Sequence, residues 1–404
     1  MKKLKIRIIT AEPFPIGMAN TNRIMSYGKG LAEQNCEVII NCIKPTESSS
    51  KIFNTKTNGT IDGFQFEYTS GNTIISNNYL KRQLDNFRGV LNLCLKILFE
   101  KKKSKTDVLI YYTLSPIVAI FLYLITRFRK VIFLKEESEF PFVYYGNKGK
   151  LSRYLIDFHY KLFDGLLLMT NTLIKYFSEE KKITVPYLHV PMTVDFERFN
   201  SVQRLQNMAN NYIAYCGVLN NEKDGVDILI KAFISLASEF PNLELYLIGD
   251  PISEKILQDY KFEIEKNNCS HRVHFTGRVG SAEVASYISN ADVLVLPRPK
   301  SLQAEGGFPT KLGEYLSTGK PVVVTNVGEI SFYLKHELNA YIINPGSIES
   351  LFNQLKSILL NYPQALETGT KGKSVALANF NYKIQALNIF SFIQHLRQKN
   401  IISN

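Results

Sequence analysis

Short apolar runs alternate with amphipathic stretches along the whole chain. Ile6–Thr10 and Cys36–Ile43 have strand length and β-branched character, and between them apolar residues recur at helical spacing from about Asn22 to Glu33. Further strands are predicted at Val108–Tyr112, Val131–Lys135, Leu166–Thr170 and Leu188–Val190, most of them separated by helical segments. After a polar stretch without strand signals, a second series begins at Tyr212–Tyr215. It continues with the helix Val226–Ser238, the strand Leu243–Ile248, the helix Glu254–Asn267, the strand Val273–Thr276 and the helix Ser281–Ser289. The strand Val293–Leu296, the helix Thr310–Ser317 and the strands Pro321–Thr325 and Ala340–Ile343 complete it, and an amphipathic helix is predicted over Ile384–Gln398.

Uniformly apolar strands alternating with helices imply largely parallel, doubly wound sheets. The expected architecture is α/β, with two Rossmann-like domains facing across a cleft. We place the first over residues 1–197, a linker over 198–211 and the second domain over 212–383. Ligands in such sheets sit beyond the carboxyl ends of the strands. That gathers the loops after Thr10, Tyr215, Ile248, Thr276 and Leu296 around one crevice.

Composition narrows the class. A chain of 404 residues exceeds one comfortable core, and its five scattered cysteines form no CxxC pair or His/Cys cluster. A reduced, cytoplasmic protein without structural zinc is expected. The longest apolar run, Ile117–Thr126, is about ten residues against the roughly 20 that a bilayer span needs, so no transmembrane helix is expected.

The net charge of +12 is uneven: residues 1–200 hold 29 Lys and Arg against 18 Asp and Glu. No zinc finger, RNA-recognition signature or repeated basic helix accompanies the excess, and a nucleic-acid partner is not expected. Val90–Phe99 is apolar and runs directly into Lys101-Lys102-Lys103. It reads either as a peripheral contact with an anionic membrane surface, at the inner face of the membrane, or as a buried helix with a solvated basic end.

Three loops carry candidate chemistry. Gly17, between the first strand and its helix, would let the backbone approach a phosphate. Lys223 lies in a second strand-to-helix loop, where it reads as a diphosphate counter-charge or as a solvated side chain. The richest stretch gathers Arg298, Lys300, Glu305, Gly306, Gly307, Phe308, Pro309, Thr310, Lys311 and Glu314 around one helix start. The glycines are expected to free backbone N–H groups for an anion, and Glu314 lies one turn beyond Thr310, positioned to accept from ribose hydroxyls. In the first half, Glu136-Glu137-Ser138-Glu139 follows a strand. Glu137 and Glu139 are candidates for acceptor hydroxyls or an oxocarbenium-like transition state, and a solvated loop is the other reading.

The blocks Gly217-Val218-Leu219, Lys223–Phe233, Leu247-Ile248-Gly249-Asp250, Val273–Gly277, Ala291–Pro297, Gly307–Glu314 and Gly319–Val323 jointly resemble family 4 retaining glycosyltransferases of the GT-B fold. The resemblance covers nearly the whole chain, and Pro191 to Phe199 is similar to that family's link between domains. It implies that Lys223 holds the donor diphosphate and Glu314 the nucleotide ribose. Gly307, Phe308 and Pro309 would present backbone amides, Arg278 and Val279 would flank the base, and Gly217 and Gly249 would belong to the donor loops. Gly17 would close on the phosphates from the other domain, and the final helix, residues 384–404, would return to the first domain.

The sequence departs from the family in spacing. Eight residues separate Glu305 from Glu314 where seven are usual, Gly306 occupies the first acid's place, and Val218 stands where Arg is frequent. Arg298 would supply that charge. The implied reaction moves a sugar from a nucleotide-diphosphate sugar to a saccharide or lipid-linked saccharide, with no cofactor and no metal. A non-catalytic sugar-nucleotide-binding scaffold is the alternative.

Overall fold

The computed structural model describes residues 3–402 except 114, 142–148, 201 and 207. The chain forms two compact units, Met1–Thr193 with Tyr382–Asn404, and Val194–Asn381. The division falls before the stretch 198–211 that was expected to be a linker, and that stretch belongs to the second unit.

The first unit is built on β1 (Lys5–Thr10), β2 (Glu37–Cys42), β3 (Asn58–Ile61), β4 (Phe64–Tyr68), β5 (Val108–Tyr111), β6 (Ile132–Glu137), β7 (Gly165–Leu168) and β8 (Tyr187–His189). Their order is β3-β4-β2-β1-β5-β6-β7-β8, parallel except for the β3–β4 hairpin. Every residue of β1, β5, β6 and β7 is buried, because helices cover both faces of the sheet. On one face the helices Ala19–Glu33 and Tyr382–Ile402 share a core in which Ile24, Tyr27 and Leu31 meet Ile389, Ile393 and Leu396. The Tyr382 hydroxyl donates to Glu33 at 2.7 Å. The helices Tyr79–Phe99 and Pro116–Arg129 pack together and bury Leu93, Ile97, Ala119 and Leu122.

The second unit comprises β9 (Tyr212–Cys216), β10 (Glu244–Ile248), β11 (Val273–Gly277), β12 (Val293–Leu296), β13 (Val322–Thr325) and β14 (Tyr341–Ile343), in the order β11-β10-β9-β12-β13-β14. All five neighbouring pairs are parallel. Helices follow at Val226–Ala237, Glu254–Lys266, Ser281–Asn290 and Thr310–Thr318, within a residue of their sequence-derived bounds. Both units are thus parallel, Rossmann-like α/β structures, as the apolar runs require.

The β3–β4 hairpin was not anticipated, although its signal stands in the sequence. Asp62-Gly63 forms its two-residue turn with both φ angles positive, 46° and 81°. An Asp-Gly pair meets that demand at little cost. No described helix is long and apolar enough to cross a membrane.

Candidate functional site

The carboxyl ends of β9 and β10 are locked together by backbone contacts. Gly217 N–H donates to Ile248 O at 2.8 Å, and Leu219 N–H donates to Asp250 O at 3.0 Å. Gly217 and Gly249 adopt φ of 153° and 134°, conformations that side chains disfavour. A Cβ on Gly249 would stand 2.0 Å from Gly217 O, and one on Gly217 would stand 2.2 Å from Lys311 Nζ. The two loops therefore lie flush, with an ammonium directly over Gly217.

Lys311 reaches that position from the first turn of the helix Thr310–Thr318. Its Nζ donates to Asp224 Oδ2 and to the Tyr215 hydroxyl, both at 2.7 Å, and lies 4.8 Å from the centre of the Tyr215 ring. Arg298, buried in the loop after β12, places Nε 3.7 Å from Asp224 Oδ1 and donates to Lys223 O at 3.3 Å. Two cations share one carboxylate, so these three side chains together carry one net positive charge. Burial alone would raise the Asp224 pKa, but Lys311 and Arg298 hold it below the usual aspartate value. Burial depresses the Lys311 pKa against the pull of Asp224.

Glu314 stands one turn beyond Lys311 on the same helix and accepts from Arg198 Nη1 at 2.7 Å. Arg198 comes from the 3-10 turn Phe196–Phe199, and its buried Nε has no hydrogen-bond partner among the described residues. Cys216 sits between these groups, its N–H donating to the Tyr315 hydroxyl at 2.6 Å. Burial, and then the nearby Glu314 carboxylate, push its thiol up to about 12, so it stays neutral.

Several expectations change. Gly307 does not offer a free amide, because its N–H closes the short helix Leu302–Gly306 by donating to Gln303 O at 3.2 Å. Gly306 is buried inside that helix. Phe308 is an anchor, packed against the Tyr333 and Phe380 rings at 5.4 Å each. The next helix starts beside it, with buried Pro309 as the cap residue and no side chain capping the first turn. Thr310 is half-buried there. Glu305 is half-exposed, and Lys300 lies 4.0 Å away. Lys223 is exposed on the turn Asn221–Asp224, whereas Arg298 is buried beneath it. Arg278 and Val279 lie half-buried after β11, with the Arg278 N–H on Asp250 Oδ1 at 3.0 Å.

In the first unit, Glu137 is not on a solvated loop. It is a buried strand residue 3.1 Å from Lys135 Nζ, and it accepts from the Tyr160 hydroxyl at 2.6 Å. Its carboxylate is spent inside the unit. Glu139 is half-buried just past β6. Gly17 has a local reason, since a Cβ there would stand 1.8 Å from Thr21 Oγ1, which donates to Pro13 O at 2.7 Å. Sequence reasoning missed Asp224, Tyr215 and Arg198. Asp224 was readable as the acid between Lys223 and Gly225, and Arg198 as the cation in Asp195–Phe199.

The arrangement in the second unit is a cationic cluster over a glycine floor, with a carboxylate one turn away. Residues 197–375 match the family described as Glycosyl transferases group 1. The second unit therefore carries a domain of that kind, and the two α/β units give the chain the GT-B fold. A lipopolysaccharide 1,2-N-acetylglucosaminetransferase of Salmonella typhimurium is 20% identical over 232 residues, 54% of this chain and 59% of that protein. Sucrose-phosphate synthase from Thermosynechococcus elongatus is structurally similar, with a TM-score of 0.75 at 15% identity over 98% of this chain and 100% of that one. HepE from Anabaena, solved in complex with UDP, gives 0.67 at 12% identity over 97% and 100% of the two chains. The chain spans 37–59% of the length of the curated relatives it matches.

Proposed function

We propose that this chain is a family 4 retaining glycosyltransferase. It would move a sugar from a nucleotide-diphosphate donor to a hydroxyl of a saccharide or lipid-linked saccharide in cell-surface polysaccharide synthesis. The observation that carries this reading is Lys311 held over Gly217 by Asp224, with Glu314 one turn further along the same helix. As the bond from the anomeric carbon to the diphosphate breaks, negative charge gathers on the leaving oxygens. Preorganised cations at that point stabilise the transition state more than the ground state. Lys311 and the helix start supply the fixed part of that field, Arg298 supports it from beneath, and exposed Lys223 adds to it from solvent. Glu314 exchanges its hydrogen bond with Arg198 for those of the ribose hydroxyls.

The group 1 match supports transfer, the Salmonella relative is named for a sugar-to-lipopolysaccharide reaction, and HepE was solved with UDP. Titration calorimetry with UDP, GDP and ADP, followed by mass spectrometry of products from a panel of nucleotide sugars and acceptors, tests the reading. Tight binding of one diphosphate and a glycosylated product are expected, with turnover unchanged by EDTA. Binding without transfer or donor hydrolysis on any acceptor would replace the enzyme with a sugar-nucleotide-binding scaffold.

A further inference from the structure

The helices Tyr79–Phe99 and Pro116–Arg129 of the first unit are apolar on two faces. Their inward faces bury Leu93, Ile97, Ala119 and Leu122. Outward, the first helix exposes Leu80, Leu84, Phe87, Leu91, Leu95 and Phe99, spaced by three or four residues, with Leu80 and Phe99 each 76% exposed. The second exposes Ile117, Phe121, Leu124 and Phe128 at the same spacing, with Phe128 also 76% exposed. The helices pack side by side, so the two stripes adjoin. The neighbouring helix Lys150–His159 adds Tyr154 and Phe158, which stack on one another. A helix facing water ordinarily carries polar residues on that side, and a large continuous apolar surface marks an interaction site.

Charge selects the occupant. The two helices hold one acidic residue, Asp85, and it is buried. Their exposed cations are Lys81, Arg82, Arg88, Lys96 and Arg127, of which Lys96 pairs with Glu67 and Arg127 with Asp164, and the solvated Lys101-Lys102-Lys103 follows the first helix directly. A second copy of this face would bring like charges together, which disfavours self-association. Apolar side chains that enter the headgroup boundary while lysines and arginines reach anionic headgroups match this combination.

We propose that this two-helix face seats the chain on an anionic lipid bilayer, as a peripheral contact that places Leu84, Phe87, Phe121 and Leu124 below the headgroups and the basic residues among them. The proposal rests on the first unit alone and is independent of the transfer reaction.

Sedimentation with phosphatidylcholine vesicles, with and without phosphatidylglycerol, tests it on the full chain. The protein is expected to pellet with the anionic vesicles, and to be released as salt rises. Lys101→Gln with Lys102→Gln and Lys103→Gln, all solvated and outside the core, should weaken that binding by about a hundredfold, at about fivefold for each charge lost near the surface. Leu84→Ser, Phe87→Ser, Phe121→Ser and Leu124→Ser together should weaken it by about tenfold or more through lost apolar insertion. If that second variant unfolds at a lower temperature than the parent, the lysine variant carries the test. Protein that stays in the supernatant, or that binds both vesicle types equally and ignores salt, overturns the proposal. So does a concentration-dependent dimer, seen by light scattering, that the serine variant abolishes.

Discussion

Each unit holds a charge cluster near the carboxyl ends of its strands, and the two clusters differ in whether they are sealed. In the first unit, Arg23 Nε pairs with Glu136 at 2.8 Å while its other nitrogens donate to Val190 O and Pro191 O at 2.7 Å. Arginine and glutamate side chains are each 2% exposed. Beside them Lys135 and Glu137 pair 3.1 Å apart, also buried. In the second unit Asp224 is equally buried, but its partner Lys311 keeps 23% of its side chain in solvent, and Glu314 keeps 18%. The first cluster ties strand ends to loops, whereas the second, the proposed donor site, keeps part of its charged surface in solvent.

The comparison breaks most sharply at Arg23. Arg23→Ala leaves Glu136, whose pKa burial already raises, without its partner in the interior, and removing one member of a buried pair costs about 3–5 kcal/mol. We expect urea unfolding to report a loss of that size. Nucleotide affinity, measured on the fraction still folded, should change less than twofold. A selective loss of nucleotide binding in a stable Arg23→Ala protein would show that this cluster also faces a ligand.

The second unit should respond in the opposite sense. Lys311→Met is expected to reduce turnover about 10²- to 10³-fold, the range for removing one preorganised group at a developing charge, and Glu314→Ala, which loses the ribose hydrogen bonds, to weaken donor binding about 10- to 100-fold. Glu314→Ala should change the thermal midpoint little, because the Arg198 it leaves behind keeps 25% of its side chain in solvent. Lys311→Met should also destabilise, since Asp224 loses its nearest cation. A Glu314→Ala protein with full kcat and KM would remove the ribose assignment.

These two outcomes bear on what the sequence disclosed. Strand and helix positions in the second unit were legible because buried parallel strands have little freedom in composition, as Val293–Leu296 and Val322–Thr325 show. The helix start at Thr310 was legible through Pro309 and the periodicity behind it. The environment of each charge was not. Nothing in Lys135-Glu136-Glu137 says that the strand runs two residues further, so that Glu137 meets Lys135 and Tyr160 instead of water. Likewise Arg298 and Lys300 look equivalent in a loop, yet one lies buried against Asp224 and the other is 76% exposed. Burial of individual ions is a tertiary property that linear pattern does not encode. Accordingly Arg298→Ala should impair both stability and donor binding, and Lys300→Ala should change turnover less than twofold.

A pH titration probes the sealed side again. His159 is fully buried, with Nδ1 on Ile156 O, and burial, assisted by Lys135, lowers its pKa to about 4. The unfolded chain binds this proton near pH 6.5 while the folded chain refuses it, so the folded state loses stability as pH falls from 6.5 towards 4. The loss amounts to about 3 kcal/mol over that window. In His159→Phe the fall in unfolding free energy across the same range should be visibly shallower. An unchanged slope would mean that His159 is protonated in the native state.

The last comparison is the most diagnostic of the two environments. Lys223 and Lys311 are both candidates to meet the donor diphosphate, but Lys223 stands in solvent on the turn before Gly225 and Lys311 is fixed by Asp224 and Tyr215. An exposed cation attracts an anion through water, and that attraction fades over a Debye length of about 10 Å at 0.1 M salt, falling to about 3 Å at 1 M. Lys223→Ala should therefore raise the donor KM by about tenfold at low ionic strength and much less at high salt. The loss caused by Lys311→Met should persist across the series, because its ammonium is held at contact distance within the fold. If both defects fade together with salt, Lys311 is only another solvated charge, and the distinction between a sealed and a half-open cluster no longer explains where the donor binds.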